Sequence, residues 1–254
     1  MTQTLPAVFF GHGSPMNALE RNRYTEAWRT FGESIPRPRA ILMVSAHWLR
    51  DGTRVTATAK PRTIYDFNGF PPELSAVRYD APGAPEVARE VADRVGATPD
   101  TSWGLDHGTW SVLVHAFPKA DVPVLQLSLD AKKSFAEHLE LGARLAPLRE
   151  KGILLAASGN VVHNLYRMNW QQPDAAFDWA RQFDEEARRL MTTAPADVVK
   201  LAGHADYHLS VPTPEHFLPL LYIAGVAKAA GRPAEVLVDG YAMGSLSMTA
   251  YTVP

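Results

Sequence analysis

Residues 153–164 read ILLAASGNVVHN, an apolar run that ends in Ser158 and Gly159 and leads into a histidine. Four other runs have the same character: Pro6–Phe10, Ala40–Ser45, Val122–Ser128 and Ala234–Val238. Runs that are almost continuously apolar are typical of strands covered on both faces, as in a mostly parallel sheet. These five segments therefore predict the core of a parallel sheet.

Helical patterns lie between and after these strands. Apolar residues recur at helical spacing in four segments: Pro85–Val95, Ser134–Lys151, Asp174–Met191 and Pro214–Ala230. Pro147 would kink or divide the second of them, and Thr213 with Pro214 would begin the last. Strands that alternate with helices predict an α/β fold with a central sheet flanked by helices.

Weaker alternation marks Arg54–Ala59 and Ser245–Tyr251 as further strands, the second expected to be antiparallel and peripheral. The sequence has no internal repeat or linker, so residues 1–254 are expected to form a single catalytic domain. Pro61–Pro85 is rich in proline and glycine, and long ordered excursions of this kind are usually functional or act as lids.

Composition excludes several function classes. The 254 residues hold 25 Lys and Arg against 27 Asp and Glu, which argues against a nucleic-acid-binding protein. There is no cysteine, so any metal must be held by nitrogen and oxygen from the nine histidines and the acidic residues. The first residues lack a basic signal-peptide region, and no apolar run approaches the roughly 20 residues of a membrane span. We therefore expect a cytoplasmic protein without membrane partners.

Four histidines are placed where a ligand site is expected. His12, His47 and His163 follow or cap predicted strands, and His216 lies in the predicted first turn of a helix. Ligands of open parallel sheets bind outside the carboxyl ends of the strands. These four residues therefore predict a metal site assembled from distant segments. The remaining residues His115, His138, His204 and His208 are expected to be ordinary structural histidines.

His107 is a separate case, because it stands between glycines and tryptophans in WGLDHGTW. The pattern fits two interpretations equally well. His107 is either an acid–base residue in a pocket wall or a buried histidine that orients a loop. Phosphate-binding loops and the GxSxG nucleophile elbow are absent from the sequence.

Taken in order, seven segments resemble the class III extradiol ring-cleavage dioxygenases, and in particular the 4,5-DOPA extradiol dioxygenase-like subgroup. The segments are GHGSPMNALE, VSAHW, IYDFNGFP, WGLDHGTW, SGNVVHN, PTPEHFLPLLY and MGSLSM, which together span about residues 9–248. The resemblance implies an enzyme that opens the ring of a catechol, such as a DOPA-like substrate, with O2.

The resemblance also implies roles for the histidines. It makes His12, His47 and His216 ligands of one divalent metal. His163 is either a further ligand, as in zinc-loaded forms, or the acid–base residue, and His107 handles substrate or oxygen. Many enzymes of the broader class use a glutamate as third ligand, so Glu215 is the substitute for His216. Fe(II) is expected for activity, whereas purified protein is expected to carry Zn²⁺.

Two alternatives stay open at this point. A zinc hydrolase could use the same histidines to activate water, and a binding protein could keep the fold without turnover. The residues Tyr65, Phe67, Phe70 and Trp110 are candidates for aromatic pocket walls or for ordinary core. The oligomeric state is left open.

Overall fold

A sheet of eight strands runs through the protein, of which the computed structural model describes residues 4–254. Its strands in spatial order are β4 (Thr98–Asp100), β3 (Arg54–Thr56), β5 (Val124–Asp130), β2 (Ala40–Arg50), β6 (Ile153–Gly159), β1 (Ala7–Gly11), β10 (Ala250–Val253) and β7 (Glu235–Val238). A separate small ribbon pairs β8 (Tyr241–Ala242) with β9 (Leu246–Ser247).

The four central strands, β5, β2, β6 and β1, are mutually parallel. All residues of β1, β5 and β6 are buried, as continuously apolar strands require. Alternate residues face two cores, so that Phe9 packs into one and Phe10 into the other. This confirms the predicted α/β class with a mostly parallel sheet.

The C-terminal strand β10 runs antiparallel to β1, and β7 runs antiparallel to β10 at the margin of the sheet. The prediction of Ala234–Val238 as a buried strand of the parallel core is therefore wrong, since β7 lies at the sheet edge with Glu235 and Val236 exposed. The predicted peripheral antiparallel strand is therefore one of a pair at this edge. It begins at Ala250 rather than Ser245, because residues Leu246 and Ser247 belong to the small ribbon instead.

Helices cover both faces of the sheet. Their bounds are α1 Arg23–Ser34, α2 Pro72–Ala76, α3 Pro85–Val95, α4 His107–Ala116, α5 Phe135–Leu145, α6 Asp178–Thr193, α7 Tyr207–Ser210 and α8 Leu218–Ala230. The predicted helix 85–95 is confirmed, and the segment 134–151 is divided as predicted, since a 3-10 helix with Pro147 follows α5 over Ala146–Lys151.

The predicted start of the last helix at Pro214 is wrong. Residues 212–217 form bends and turns, and α8 begins at Leu218 with Pro219 in its first turn. Proline fits a first turn, whereas within a helix begun at Pro214 its ring would clash with the carbonyl four residues before. The hydroxyl of Thr213 does not cap a helix but donates to Glu215 Oε1 at 2.6 Å.

Helix α4 was not predicted, and its burial explains why. Eight of its ten residues are buried, so it shows little of the one-sided apolar pattern that reveals a surface helix. Across residues 4–254 we find no helix that combines the length and apolar character needed to cross a bilayer.

Candidate metal centre

The carboxyl ends of the central strands bring two of the predicted histidines together. His12 directly follows β1, and its backbone N–H donates to the carbonyl of Gly159 at the end of β6, at 3.0 Å. His47 lies within β2, which continues past the predicted end at Ser45. The predicted edge of the sheet therefore holds both residues.

An irregularity in β2 shapes this edge. Val44 pairs with Leu127 on β5, and the next pair is Leu49 with Leu129, so β2 holds extra residues over 45–48. A bulge of this kind bends a strand and re-aims its side chains. His47 lies in this bulge.

A turn before α8 brings in His216. The backbone N–H of Asn160, just after β6, donates to the His216 carbonyl at 2.9 Å. A Cβ atom on Gly159 would stand 2.2 Å from that same carbonyl oxygen, so only glycine allows this approach. The predicted placement of His216 at the site is therefore reached from a turn, not from a helix.

The three side chains form a compact donor set. Nε2 of His12 lies 3.2 Å from Nε2 of His47, and ligand atoms of His12, His47 and His216 all lie within 4.8 Å of one another. In a tetrahedral site with metal–nitrogen bonds of about 2.0–2.1 Å, neighbouring ligand nitrogens lie about 3.3 Å apart. The donor set therefore fits one metal ion, and its chemistry suits zinc or iron.

The hydrogen bonds of Ser158 determine which nitrogen of His12 carries the proton. The Ser158 hydroxyl donates to the carbonyl of Gly108 at 2.6 Å, and the same oxygen lies 2.9 Å from His12 Nδ1. A hydroxyl has one proton to donate. His12 Nδ1 must therefore be the donor to Ser158, which leaves a lone pair on the Nε2 atom that faces His47.

Carboxylates favour the same tautomer in the other two rings of the set. His216 Nδ1 lies 3.3 Å from Glu215 Oε1 at hydrogen-bond distance, and His47 Nδ1 lies 3.3 Å from Asp66 Oδ2 in an ion-pair contact. A carboxylate accepts hydrogen bonds, so each ring is favoured with its proton on Nδ1 and Nε2 free to bind a metal. Glu215 is thus a partner of His216 in this structure rather than its substitute.

Burial keeps these rings neutral. It lowers the pKa of His12 and of His216 well below the ordinary value, helped by the charges of neighbouring histidines. Burial and the charge of His107 lower the pKa of His47 to about 3. A neutral imidazole is the form that binds metal, so the set is ready for a metal at neutral pH.

His163 lies against this set but has a different environment. Its ring stacks on the His216 ring, with centroids 3.5 Å apart and planes 4° apart. Within residues 4–254, it belongs to none of the groups of three or more ligand residues that meet the 4.8 Å spacing. Burial lowers the pKa of His163 to about 4. Its assignment as a fourth ligand stays a prediction.

These residues lie in a cavity of about 1160 Å³. His107, at the start of α4, and His163 both line it. The predicted excursion 61–85 also contributes to the wall, with Asp66, Phe67 and Phe70. Further apolar lining comes from Leu165, Met168, Trp170, Met243, Leu246 and Met248. The cavity therefore offers a largely apolar space beside the donor set.

Of the four predicted aromatic wall residues, Phe67 and Phe70 line the cavity, whereas Tyr65 and Trp110 do not. Trp110 is fully buried and donates from Nε1 to the Ile64 carbonyl at 2.8 Å, and the Tyr65 hydroxyl donates to the Val77 carbonyl at 2.8 Å. Both rings pack edge-on against Phe67, which does line the cavity.

The remaining histidines make structural contacts. His115 Nε2 lies 2.7 Å from the Asn17 carbonyl, His138 Nδ1 lies 3.1 Å from the Tyr222 hydroxyl, and His204 Nδ1 accepts from the Asp206 backbone at 3.1 Å. His208 lies on the short helix α7, exposed at the surface.

Sequence reasoning missed the residues that hold the histidines in place, namely Asp66, Ser158 and Glu215 in its supporting position. Asp66 stands inside the motif IYDFNGFP. No helix or strand pattern accounts for an acidic residue at this position, and that was the one signal the sequence offered. Ser158 reads as the end of a strand and carries no separate signal.

The fold and the site define an α/β protein with a histidine set at the carboxyl edge of its sheet that could hold one metal ion. Residues 8–254 match the family described as the catalytic LigB subunit of aromatic ring-opening dioxygenase. A 4,5-DOPA dioxygenase extradiol of Escherichia coli (strain K12) is 47% identical over 252 residues, which are 96% of this chain and 93% of that protein. The chain therefore belongs to the LigB family of aromatic ring-opening dioxygenases.

Two further comparisons agree. A 4,5-DOPA dioxygenase extradiol of Beta vulgaris is 36% identical over 259 residues, covering 96% of this chain and 94% of that protein. The crystal structure of an uncharacterized protein from Escherichia coli K12 superposes with a TM-score of 0.86 at 43% identity, covering 98% of this chain and all of that one (100%). By enzyme class the chain is an extradiol ring-opening dioxygenase, and the zinc hydrolase alternative is not favoured.

Proposed function

We propose that this enzyme opens the ring of a catechol, of the DOPA-like type, with O2 at one divalent metal ion held by His12, His47 and His216. Fe(II) is the proposed active metal. The observation that carries the proposal is the convergence of the three imidazoles, with free Nε2 lone pairs, at a cavity that also presents His163 and His107. The names of the relatives, which are 4,5-DOPA dioxygenases, support the same substrate class.

A bound Fe(II) supplies a Lewis acid for the two catechol oxygens and the redox chemistry that O2 requires. The chain supplies the remaining functions. The apolar walls, with Phe67 and Phe70, suit the faces of an aromatic ring and exclude water from it.

His163 is proposed as the proton acceptor for a catechol hydroxyl. Burial keeps its imidazole neutral at neutral pH, so a lone pair is available on the ring. Its stacking on His216 holds the ring beside the donor set. Removal of the phenolic proton raises the electron density of the ring before it is cleaved.

His107 is proposed to hydrogen-bond an oxygen of the substrate or of O2. Its Nδ1 lies 3.0 Å from Asp66 Oδ1, which favours the proton on Nδ1 and leaves Nε2 as an acceptor. Through Nε2, His107 is therefore proposed to accept a hydrogen bond from a hydroxyl of the substrate.

The test is anaerobic reconstitution with Fe(II), followed by a panel of catechols that includes DOPA. We expect O2 uptake at an oxygen electrode together with a yellow ring-opened semialdehyde. The Zn²⁺-loaded protein is the control and should take up no O2, because zinc has no redox chemistry. Absence of both signals with every catechol, at confirmed Fe(II) loading, would contradict the proposal.

A further inference from the structure

Asp66 contacts two histidines of the cavity at once. Its Oδ1 lies 3.0 Å from His107 Nδ1, and its Oδ2 lies 3.3 Å from His47 Nδ1. Oδ1 also accepts the backbone N–H of His107 at 3.0 Å. Among the ion pairs of residues 4–254, Asp66 is the one carboxylate within 4.0 Å of two histidine rings.

The geometry of Asp66 indicates where the two rings carry their protons. Oδ1 accepts the backbone N–H of His107 and lies 3.0 Å from His107 Nδ1, so this ring nitrogen is favoured as a second donor to the same oxygen. Oδ2 lies 3.3 Å from His47 Nδ1 in an ion-pair contact, and a carboxylate oxygen at this position favours a proton on that nitrogen as well.

The backbone around Asp66 is held against α4, which carries His107. The Ile64 backbone N–H donates to the Leu105 carbonyl at 2.8 Å, and the Ile64 carbonyl accepts from Trp110 Nε1 at 2.8 Å. These bonds lie two residues before Asp66. They hold the carboxylate at a set distance from both rings.

We propose that Asp66 is a positioning residue that sets the tautomer of His47 and of His107 together, so that both rings present an unprotonated Nε2 to the cavity. One carboxylate thereby links a metal ligand to the histidine that handles substrate or oxygen. The inference rests on the proposed metal site. Ser158 and Glu215 each support one ring of the donor set, whereas Asp66 supports one ring inside that set and one outside it.

His47, Asp66 and His107 also meet the spacing of a group that could hold a metal. A second metal site is therefore the alternative to a positioning role for Asp66. The contacts argue for protons rather than an ion, since Oδ1 already accepts the backbone N–H of His107. If the group did bind an ion, the protein would hold two metals per chain, and replacement of Asp66 would remove one of them.

Asp66→Asn is the informative substitution. The amide has nearly the shape of the carboxylate but pairs one acceptor with one donor. Its NH2 group would face one of the two Nδ1 atoms and favour the tautomer that carries its proton on Nε2. That ring would then present a proton, instead of a lone pair, to the cavity.

The first measurement reads the tautomers directly in the metal-free protein. Long-range ¹⁵N–¹H correlation spectra of the imidazoles, assigned with His47→Gln and His107→Gln, should show Nδ1–H for both rings in the wild type. In Asp66→Asn one of them should change to Nε2–H, and in Asp66→Glu both should stay Nδ1-protonated. Unchanged tautomers in a folded Asp66→Asn protein would overturn the proposal.

The second measurement is Zn²⁺ affinity and stoichiometry, by competition with a chromophoric chelator. We expect one ion per chain in the wild type and an affinity about 10–100-fold lower in Asp66→Asn, the usual effect of losing a partner of a ligating histidine. Asp80→Asn makes the same change on the same excursion, in an exposed pair with Arg78, and should bind Zn²⁺ like the wild type. Two ions per chain, with one lost on substitution, would also overturn the proposal.

The two proposals fail in different ways. A wild type that binds no metal at all would contradict the proposed function. A wild type that binds one ion, with an Asp66→Asn variant of equal affinity, would contradict the positioning role alone.

Discussion

The imidazole of His163 stacks face to face on that of His216, with 3.5 Å between the ring centroids and 4° between the planes. An imidazole that binds a metal has the ion close to its ring plane, and one ion cannot lie in the planes of two rings that are stacked in parallel. His216 shares the compact donor set with His12 and His47. The relationship therefore favours His163 as the proton acceptor beside the metal over a fourth ligand.

His163→Ala tests this division of roles. We expect turnover to fall by at least about 100-fold, the low end of what a general acid–base residue contributes, while most of the Zn²⁺ affinity is kept. Oxygen uptake of the Fe(II)-loaded variant and a Zn²⁺ titration measure the two effects. If His163→Ala lost metal as completely as His12→Ala, His163 would be a ligand first.

Ser158→Ala should weaken the metal site without removing a ligand. The substitution takes away the acceptor that keeps the proton of His12 on Nδ1, so the ring is free to turn or to change tautomer. We expect a Zn²⁺ affinity about 10–100-fold lower, as for other partners of ligating histidines. Equilibrium competition with a chelator measures it.

The matched control is Ser111→Ala. Ser111 is also buried, but within the described residues its hydroxyl has no hydrogen-bond partner. Its replacement should leave the Zn²⁺ affinity at the wild-type value. Equal affinities for the wild type and for Ser158→Ala would show that the tautomer of His12 does not depend on Ser158.

The sequence predicted the four central strands β1, β2, β5 and β6 well, because buried parallel strands are continuous apolar runs whatever surrounds them. The same pattern misassigned Ala234–Val238, because a short apolar run does not distinguish a core strand from the antiparallel edge strand β7. It also placed His12 and His47 at the correct edge, since the carboxyl ends of parallel strands meet there. What it could not predict depends on contacts between distant segments. Asp66 meets His47 and His107 only after the excursion packs on α4, and this contact leaves no local periodicity in the sequence.

The position of His216 also depends on a contact between distant segments, in this case a contact of the backbone. A local pattern with Thr213 and Pro214 is typical of a helix start, yet the helix begins at Leu218 because Pro219 needs the first turn. The turn before it is held by the end of β6, through Asn160. The position of His216 is therefore decided by contact with a strand that ends almost sixty residues earlier, which no short stretch of sequence contains.

Gly159→Ala should damage the metal centre through the backbone. The added Cβ atom would meet the His216 carbonyl oxygen at 2.2 Å, and backbone cannot yield as a flexible side chain does. We expect a loss of about 1–3 kcal/mol in the free energy of unfolding, as for other overpacked sites. Zn²⁺ affinity should fall as well, because His216 must move.

Urea unfolding and a Zn²⁺ titration measure these two effects. Gly203→Ala is the control, since its Cβ atom would meet nothing within 4 Å. That variant should match the wild type in Zn²⁺ affinity. A Gly159→Ala protein with unchanged stability and affinity would mean that the turn at His216 is not held against β6.

The stability of the fold should fall in acid in a way that depends on His138. Its side chain is fully buried, with Nδ1 3.1 Å from the Tyr222 hydroxyl, and burial lowers its pKa from 6.5 to about 4. Above about pH 6.5 the ring is neutral in both the folded and the unfolded chain. As the pH falls from 6.5 towards 4, the unfolded chain binds the proton first, so stability is lost across that window.

His138→Leu removes this contribution, and urea unfolding of the metal-free protein at a series of pH values measures it. The variant should lose less stability than the wild type between pH 6.5 and 4, by about 3 kcal/mol, since one pKa unit corresponds to about 1.4 kcal/mol. The lost contact with Tyr222 adds a cost that is the same at each pH in this range. Parallel curves for the wild type and His138→Leu would show that His138 is not the group that titrates.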